Sequence, residues 1–348
     1  MKYIVSLVVL FSTLFCNTLC AVEKYPLLPA PVSNNAVTMV SNQTGDYILS
    51  FMGLGKNKDY SAVHNKVYAL KLGDKVWQAK NPVPSSLRLK GRLASIAVAV
   101  KDQAYIFGGY TVAKDHSEIS SPDNFRYDVA KDSYYPISAM PVAVDDAIAL
   151  VYQNRYIYLI SGWHNDGNVN LVQVYDTKLN SWQQASPLPG NAVFGHAGGI
   201  VGDKILLCDG VRVQVHQNKR RSFSMENACY LGTIQENTPY KIDWHKVKHP
   251  TGKGRYRMAA TGYQGDIWFY GGSENPYNYN GIGYNKEPSL PTKEIWRFNL
   301  AKKRWSVSQA NTSSMDHRGL ITYKDQLLVV GGMGKEQKVL NMIQVVHQ

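Results

Sequence analysis

Gln103–Gly109 reads QAYIFGG, a polar start, alternating large residues and a double glycine. Tyr105 and Phe107 fall on one face of a strand and Ile106 on the other. Gly108 and Gly109 end it, where crowding or a left-handed backbone excludes a side chain. Before it lies RLASIAVAV, Arg92–Val100, a small and nearly continuous apolar run that reads as a fully buried strand. After it come NFRYD, Asn124–Asp128, and SYYPISAMP, Ser133–Pro141. The unit is four strands: buried, glycine-terminated, tyrosine-bearing, and aromatic with a proline-rich exit.

The unit recurs along the chain. YLISGW (Tyr158–Trp163) is followed by VYD (Val174–Asp176) and Trp182. ILLCDG (Ile205–Gly210) is followed by Trp244, and IWFYGG (Ile267–Gly272) by Trp305. LLVVGG (Leu327–Gly332) is the last copy, and YILSFMG (Tyr47–Gly53) with Trp77 is the first. The terminal glycines stand at 53, 109, 162, 210, 272 and 332. That spacing is close to the roughly 50-residue blade of a β-propeller. Six copies predict an all-β, six-bladed β-propeller.

The last copy stops at Gln348 without its tryptophan strand. EKYPLLPAPV, Glu23–Val32, resembles the proline-rich exits of the other copies. Residues near 24–31 are expected to lie beside 340–346 as the missing strand and close the ring. Ahead of them, Met1–Cys20 has Lys2, an apolar run over 4–15 and a small-residue site before Ala21. That pattern reads as a secretory signal peptide, with 21–348 as a single propeller. The apolar run is short for a bilayer span, and no other stretch reads as one. Two cysteines then remain, Cys208 and Cys229, on neighbouring strands of one blade. Export permits a disulfide, and buried thiols filling the blade are the alternative.

The formal net charge is +12. An exported basic protein favours anionic partners such as acidic sugars or polysaccharide. Its basic residues are scattered and no RNA-binding aromatic motif is present, which argues against nucleic acid. No HxH or HExxH spacing points to a metal, and no cofactor is expected.

The double-glycine, Tyr-Asp and Trp periodicity resembles the kelch repeat over essentially all of residues 21–348. A signal peptide, six blades and one long insertion, Ser273–Lys293 (SENPYNYNGIGYNKEPSLPTK), together resemble the bacterial periplasmic N-acetylneuraminate epimerases, the sialic-acid mutarotases. The resemblance implies a periplasmic or secreted protein acting at the anomeric centre of an acidic sugar. One departure is plain. The family places a glutamate after the strand-ending glycine of the fourth blade, and Val211 stands there. The alternative is a non-catalytic propeller that binds a glycan or a protein.

Topology narrows the site. In a propeller, the loops joining second to third strands and the lead-ins to the innermost strands gather at one mouth. The loops carry His164, Asp166, Arg212, His216, Arg220, Arg221, Glu226, Asn275, Tyr277, Tyr279 and Tyr284. The lead-ins carry Arg92, Asp146, His196, Arg257 and Arg318. Arginine forks suit carboxylates and tyrosines suit sugar faces. The expected catalytic residues are Glu226 or Asp209 as acid–base with Arg221. The expected binding residues are Arg92, His196, Arg212, Arg220, Arg257, Arg318, Tyr277, Tyr279 and Tyr284.

Overall fold

A computed structural model describes residues 25–347, so the expected leader Met1–Cys20 lies outside the described residues. The quoted stretch forms the strand Gln103–Phe107, antiparallel to Ile96–Val100 on one side and Asn124–Asp128 on the other. Ser133–Pro136 completes this blade, the second. Blade 1 is Ala36–Asn42, Gly45–Leu54, Val63–Lys71 and Gln78–Lys80. Blade 3 is Ile148–Tyr152, Tyr156–Ile160, Val172–Asp176 and Ser181–Gln184. Blade 4 is Ala197–Val201, Lys204–Cys208, Cys229–Gln235 and Thr238–Val247. Blade 5 is Ala259–Tyr263, Asp266–Tyr270, Thr292–Asn299 and Arg304–Ser314. Blade 6 has three strands, Ile321–Tyr323, Gln326–Val330 and Ile343–His347. The protein is an all-β, six-bladed propeller of the kelch type.

The two-residue alternation of each strand sends its side chains to different neighbours. Tyr105 and Phe107 pack with blade 3, around Tyr158 and Tyr175, while Ile106 packs with blade 1, around Leu49 and Phe51. The core is therefore a set of slabs between blades. Burying one such phenylalanine contributes roughly 1.5–3 kcal/mol. The double glycine follows from the same crowding. A Cβ on Gly108 would sit 2.0 Å from the Val144 carbonyl oxygen, and one on Gly109 2.0 Å from Ser95 Oγ. Both glycines are left-handed, at φ 55° and 87°.

Ring closure differs from a regular fourth strand. Leu28 N–H donates to Asn341 O at 2.7 Å and Val32 N–H to Leu340 O at 2.9 Å, but residues 25–32 form no ladder. Pro26, Pro29 and Pro31 have no N–H to give one. A second bond type locates the segment in the repeat. Trp182, Trp244 and Trp305 each donate their indole N–H to a carbonyl in the exit of the preceding blade: Ser138, Ser186 and Lys248. In blade 2, Tyr134 does the same to Asn81 through its hydroxyl. Trp77 of blade 1 donates to Pro26 O at 3.1 Å, so Pro26 occupies the exit of blade 6. Leu28 and Val32 are buried against Trp77, Ile48 and Leu328, which fixes the segment by packing as well.

Cys208 and Cys229 are paired across the second and third strands of blade 4, with Cα atoms 4.2 Å apart. Among the described residues no helix is long and apolar enough to cross a membrane.

Candidate functional site

A left-handed residue stands in the lead-in to the innermost strand of all six blades, two residues ahead of it in blades 1 to 5 and five ahead in blade 6: Asn34, Ala94, Asp146, Gly195, Arg257 and Asp316. The residue ahead of it makes an isolated bridge to the residue after the terminal glycine, as in Leu93 with Tyr110 and Phe194 with Val211. These positions link into a ring around the axis. Asp146 N–H donates to Ala94 O, Gly195 to Asp146 O, Arg257 to Gly195 O, and Asn34 to Asp316 O. The remaining gaps are spanned by Ala94 N–H to Asn34 Oδ1 and His317 N–H to Arg257 O. The ring narrows the central channel to a floor.

That floor is ionic. Arg257 grips Asp146 with Nε at 3.2 Å and Nη2 at 2.6 Å, and Asp316 with Nη1 at 2.9 Å. Arg318 also pairs with Asp146, and its Nε donates to Asn34 Oδ1 at 2.9 Å. Burial alone would raise the Asp146 carboxyl. Arg257 and Arg318 outweigh it and hold the group below the usual carboxylate range. Two arginines face two aspartates, so the floor carries little net charge.

Above the floor lies a cavity of about 1090 Å³, walled by loops of blades 2 to 5. Blade 2 supplies a hairpin, Tyr110–Val112 with Glu118–Ser120. Blade 4 supplies a longer one, Val211–His216 with Lys219–Met225. The insertion after Gly272 arches across. Tyr284 stacks on Phe223 of blade 4 with centroids 4.0 Å apart, and Tyr279 OH meets His116 Nδ1 of blade 2 at 3.2 Å. Arg221 lies over Trp163, its guanidinium carbon 4.8 Å from the ring centroid, and donates Nη1–H to Asp166 O at 2.7 Å. Its Nε and Nη2 make no further hydrogen bond among the described residues.

Of the residues singled out in the sequence, Arg220, Arg221, Arg257, Asp146, Asn275, Tyr279 and Tyr284 line this cavity. Tyr277 is buried beside it, packed edge-on against Tyr256. Others sit elsewhere. Arg92 is buried and donates to the carbonyls of Gly108 and Asp123 and to Ser121 Oγ, fastening the end of its own blade. Arg212 bonds Ser224 Oγ and lies 3.7 Å from Glu226, whose carboxylate accepts from Asn191. His196 and Arg318 line a separate channel of about 280 Å³ running between the innermost strands. Burial holds the His196 imidazole down to about 4.

Asp209 is committed as well. It accepts from His249 Nε2 at 2.8 Å and from Arg255 N–H at 2.8 Å. Thr251 and Gly252 N–H groups donate to His249 Nδ1, so the ring proton is on Nε2. Cys229 is near both, but its sulfur is in the disulfide and offers no thiolate to a metal. Neither Asp209 nor Glu226 reaches the cavity wall, and Val211 is packed in the apolar layer beneath the mouth.

The carboxyls that line the cavity are Glu118, Asp145, Asp146 and Glu274, the last ion-paired with Arg255 at 3.5 Å and Lys253 at 3.8 Å. Glu118 is open to cavity water, and the surrounding walls push it up to about 7 by desolvation, with Asp146 adding and Arg257 and Arg221 opposing. Asp145 is buried, accepts from Ser120 Oγ at 2.6 Å, and is held well above the usual range by burial and by Asp146. Glu118 and Asp145 were absent from the sequence reading. The signal available was register: Glu118 lies in blade 2 between Gly109 and Asn124, the same loop that was read in blades 3, 4 and 5.

No family model matches the chain. It is similar to Kelch-like protein 15 of Homo sapiens, 20% identical over 278 residues, covering 79% of this chain and 43% of that protein. The chain thus spans less than half the length of that relative. N-acetylneuraminate epimerase of Salmonella enteritidis is 21% identical over 371 residues, covering 91% of this chain and 88% of that protein. The solved structure of YjhT superposes with a TM-score of 0.70 at 18% identity, covering 92% of this chain and 96% of that one. The chain is a kelch β-propeller that resembles the epimerase family across its length.

Proposed function

We propose that the mouth cavity binds an acidic sugar, N-acetylneuraminate or a close relative, and speeds exchange of its anomers in an exported, periplasmic protein. The observation that carries this is Arg221. Its guanidinium is steadied over Trp163 and by one bond to Asp166, with further N–H groups uncommitted, in a cavity it shares with Arg220. A fork held in place this way suits a carboxylate. Trp163, Phe223 and Tyr284 give the same cavity an aromatic lining, which suits the apolar side of a sugar ring. The similarity to N-acetylneuraminate epimerases over most of their length supports the same substrate class. Arg257, expected as a second carboxylate holder, already grips two aspartates and serves as the floor beneath the ligand.

The second reading is a glycan-binding propeller without catalysis, favoured by Val211 at the family's glutamate position. The binding claim is tested by Arg221→Ala. A charge-assisted contact of about 1.5–3 kcal/mol is lost, so N-acetylneuraminate should bind roughly ten- to a hundredfold more weakly. Unfolding should be unaltered. Unchanged affinity by titration calorimetry would remove Arg221 from the site.

A further inference from the structure

The carboxyl groups of the cavity are unequal, and the inequality is geometric. Asp146 is spent on Arg257 and Arg318, and Glu274 at the rim on Arg255 and Lys253. Asp145 points from the lead-in of blade 3 to Ser120 of blade 2 and borders the cavity from within its wall. Glu118, two residues before Ser120 on the same hairpin strand, stands in the cavity itself. Its carboxylate takes no hydrogen bond or ion pair from any described residue. An acidic side chain among arginines and aromatics would ordinarily be paired. This one is left facing the space a ligand would fill.

We infer that Glu118 and Asp145 are the general base and general acid of ring opening, taking the place of the glutamate that Val211 lacks; this rests on the mutarotase reading above. In the opening step the Glu118 carboxylate takes the proton of the anomeric hydroxyl. The bond between the anomeric carbon and the ring oxygen breaks, leaving a carbonyl. Its electron pair goes to the ring oxygen, which takes the Asp145 proton. On closure the hydroxyl so formed attacks the other face of the carbonyl. It returns its proton to Asp145, and Glu118 reprotonates the anomeric oxygen. Atoms and charge balance, and both carboxyls finish as they began. Two carboxyls in unlike surroundings make such a division of labour possible. Desolvation pushes Glu118 up to about 7, and burial with Asp146 beside it raises Asp145 well above the usual carboxylate range, which favours its protonated form.

Charged and titratable groups share the cavity with Glu118 from every wall, with His116 on its own hairpin, Arg220 on that of blade 4, and Glu274 and Lys286 on the blade 5 insertion. Asp145 and Asp146 approach from blade 3, Arg221 from blade 4, and Arg257, Tyr279 and Tyr284 from blade 5; Tyr110 belongs to its own hairpin. The profile of exchange against pH should therefore rise through about 7 as Glu118 ionises.

The experiment is anomer exchange of N-acetylneuraminate by NMR, together with saturation-transfer binding, on the parent, Glu118→Gln and Asp145→Asn. Asparagine retains an acceptor for Ser120. Glu118→Gln should lose roughly 10²- to 10⁴-fold of the acceleration, lose the rise near pH 7, and still bind the sugar. Asp145→Asn should lose at least about tenfold while the Glu118 limb persists. An active parent with an equally active Glu118→Gln would overturn this assignment and leave the mutarotase reading standing. Loss of binding in Glu118→Gln would make Glu118 a ligand contact and also overturn it. A parent that binds without exchanging, or does neither, would remove the mutarotase reading and this assignment together.

Discussion

Arg257 and Asp146 meet at the axis with almost no exposure, 2% each, and the cost of burying them is met only while each has the other. Removing one partner of such a pair strands the rest of the charge. Asp146→Asn leaves Arg257 with Asp316 alone, and Arg318 without a carboxylate. We expect a loss of about 3–5 kcal/mol in denaturant unfolding. The folded Asp146 carboxyl sits below its unfolded value, so its stabilisation is complete above that value and fades as pH falls through the lower folded one. The variant should lack that acid-side loss. A change under about 1 kcal/mol would mean the floor is not held by these pairs. The lead-in arginines stood out in the sequence as an excess of positive charge. Their partners were less visible, because Asp146, Asp316 and Asn34 come from three blades, each the left-handed residue in the lead-in to an innermost strand, and meet only at the axis. No local spacing encodes that meeting. Glu118 was hidden for a related reason, since its value lies in what it does not touch.

The hairpin of residues 211–225 carries Arg220 and Arg221 of the cavity, and the disulfide lies across its base. Cys208 precedes the hairpin and Cys229 follows it, a separation of 21 residues. Closing a loop of that length contributes up to about 3 kcal/mol in the chain-entropy account. Replacing both cysteines by serine should lower stability toward that figure and speed amide exchange in residues 211–225 ahead of the blade strands. Equal exchange in the paired and unpaired proteins would show that the hairpin is held by packing alone, through Phe223 on Tyr284 and Phe194. The sequence left the two cysteines open between a disulfide and thiols. Neighbouring strands allow either, and only the register that sets Cys208 opposite Cys229 brings the sulfurs together. The insertion over 273–293 was legible as a loop after a strand-ending glycine. Its landing points were not, because a stack on Phe223 of the neighbouring blade and a hydrogen bond to His116 three blades away leave no trace in spacing.

At the scale of the molecule the glycine period carried most of the fold, because each glycine marks a place where another chain segment passes too close for a Cβ. Closure was readable in outline from the proline-rich Glu23–Val32. The same prolines forbid the ladder that outline suggested, and the indole of Trp77 on Pro26 substitutes for it. Six lead-ins linked into one ring give the mouth a rigid floor, and four blades raise loops around it. This arrangement places a steadied guanidinium and an unpaired carboxylate in one cavity. Catalysis at that mouth is what separates a mutarotase from a glycan-binding propeller. The measurement is the NMR exchange rate between the anomers of N-acetylneuraminate with and without the purified protein. We predict exchange well above the buffer rate that saturates with sugar and declines with Arg221→Ala. A rate equal to buffer at saturating sugar would contradict it.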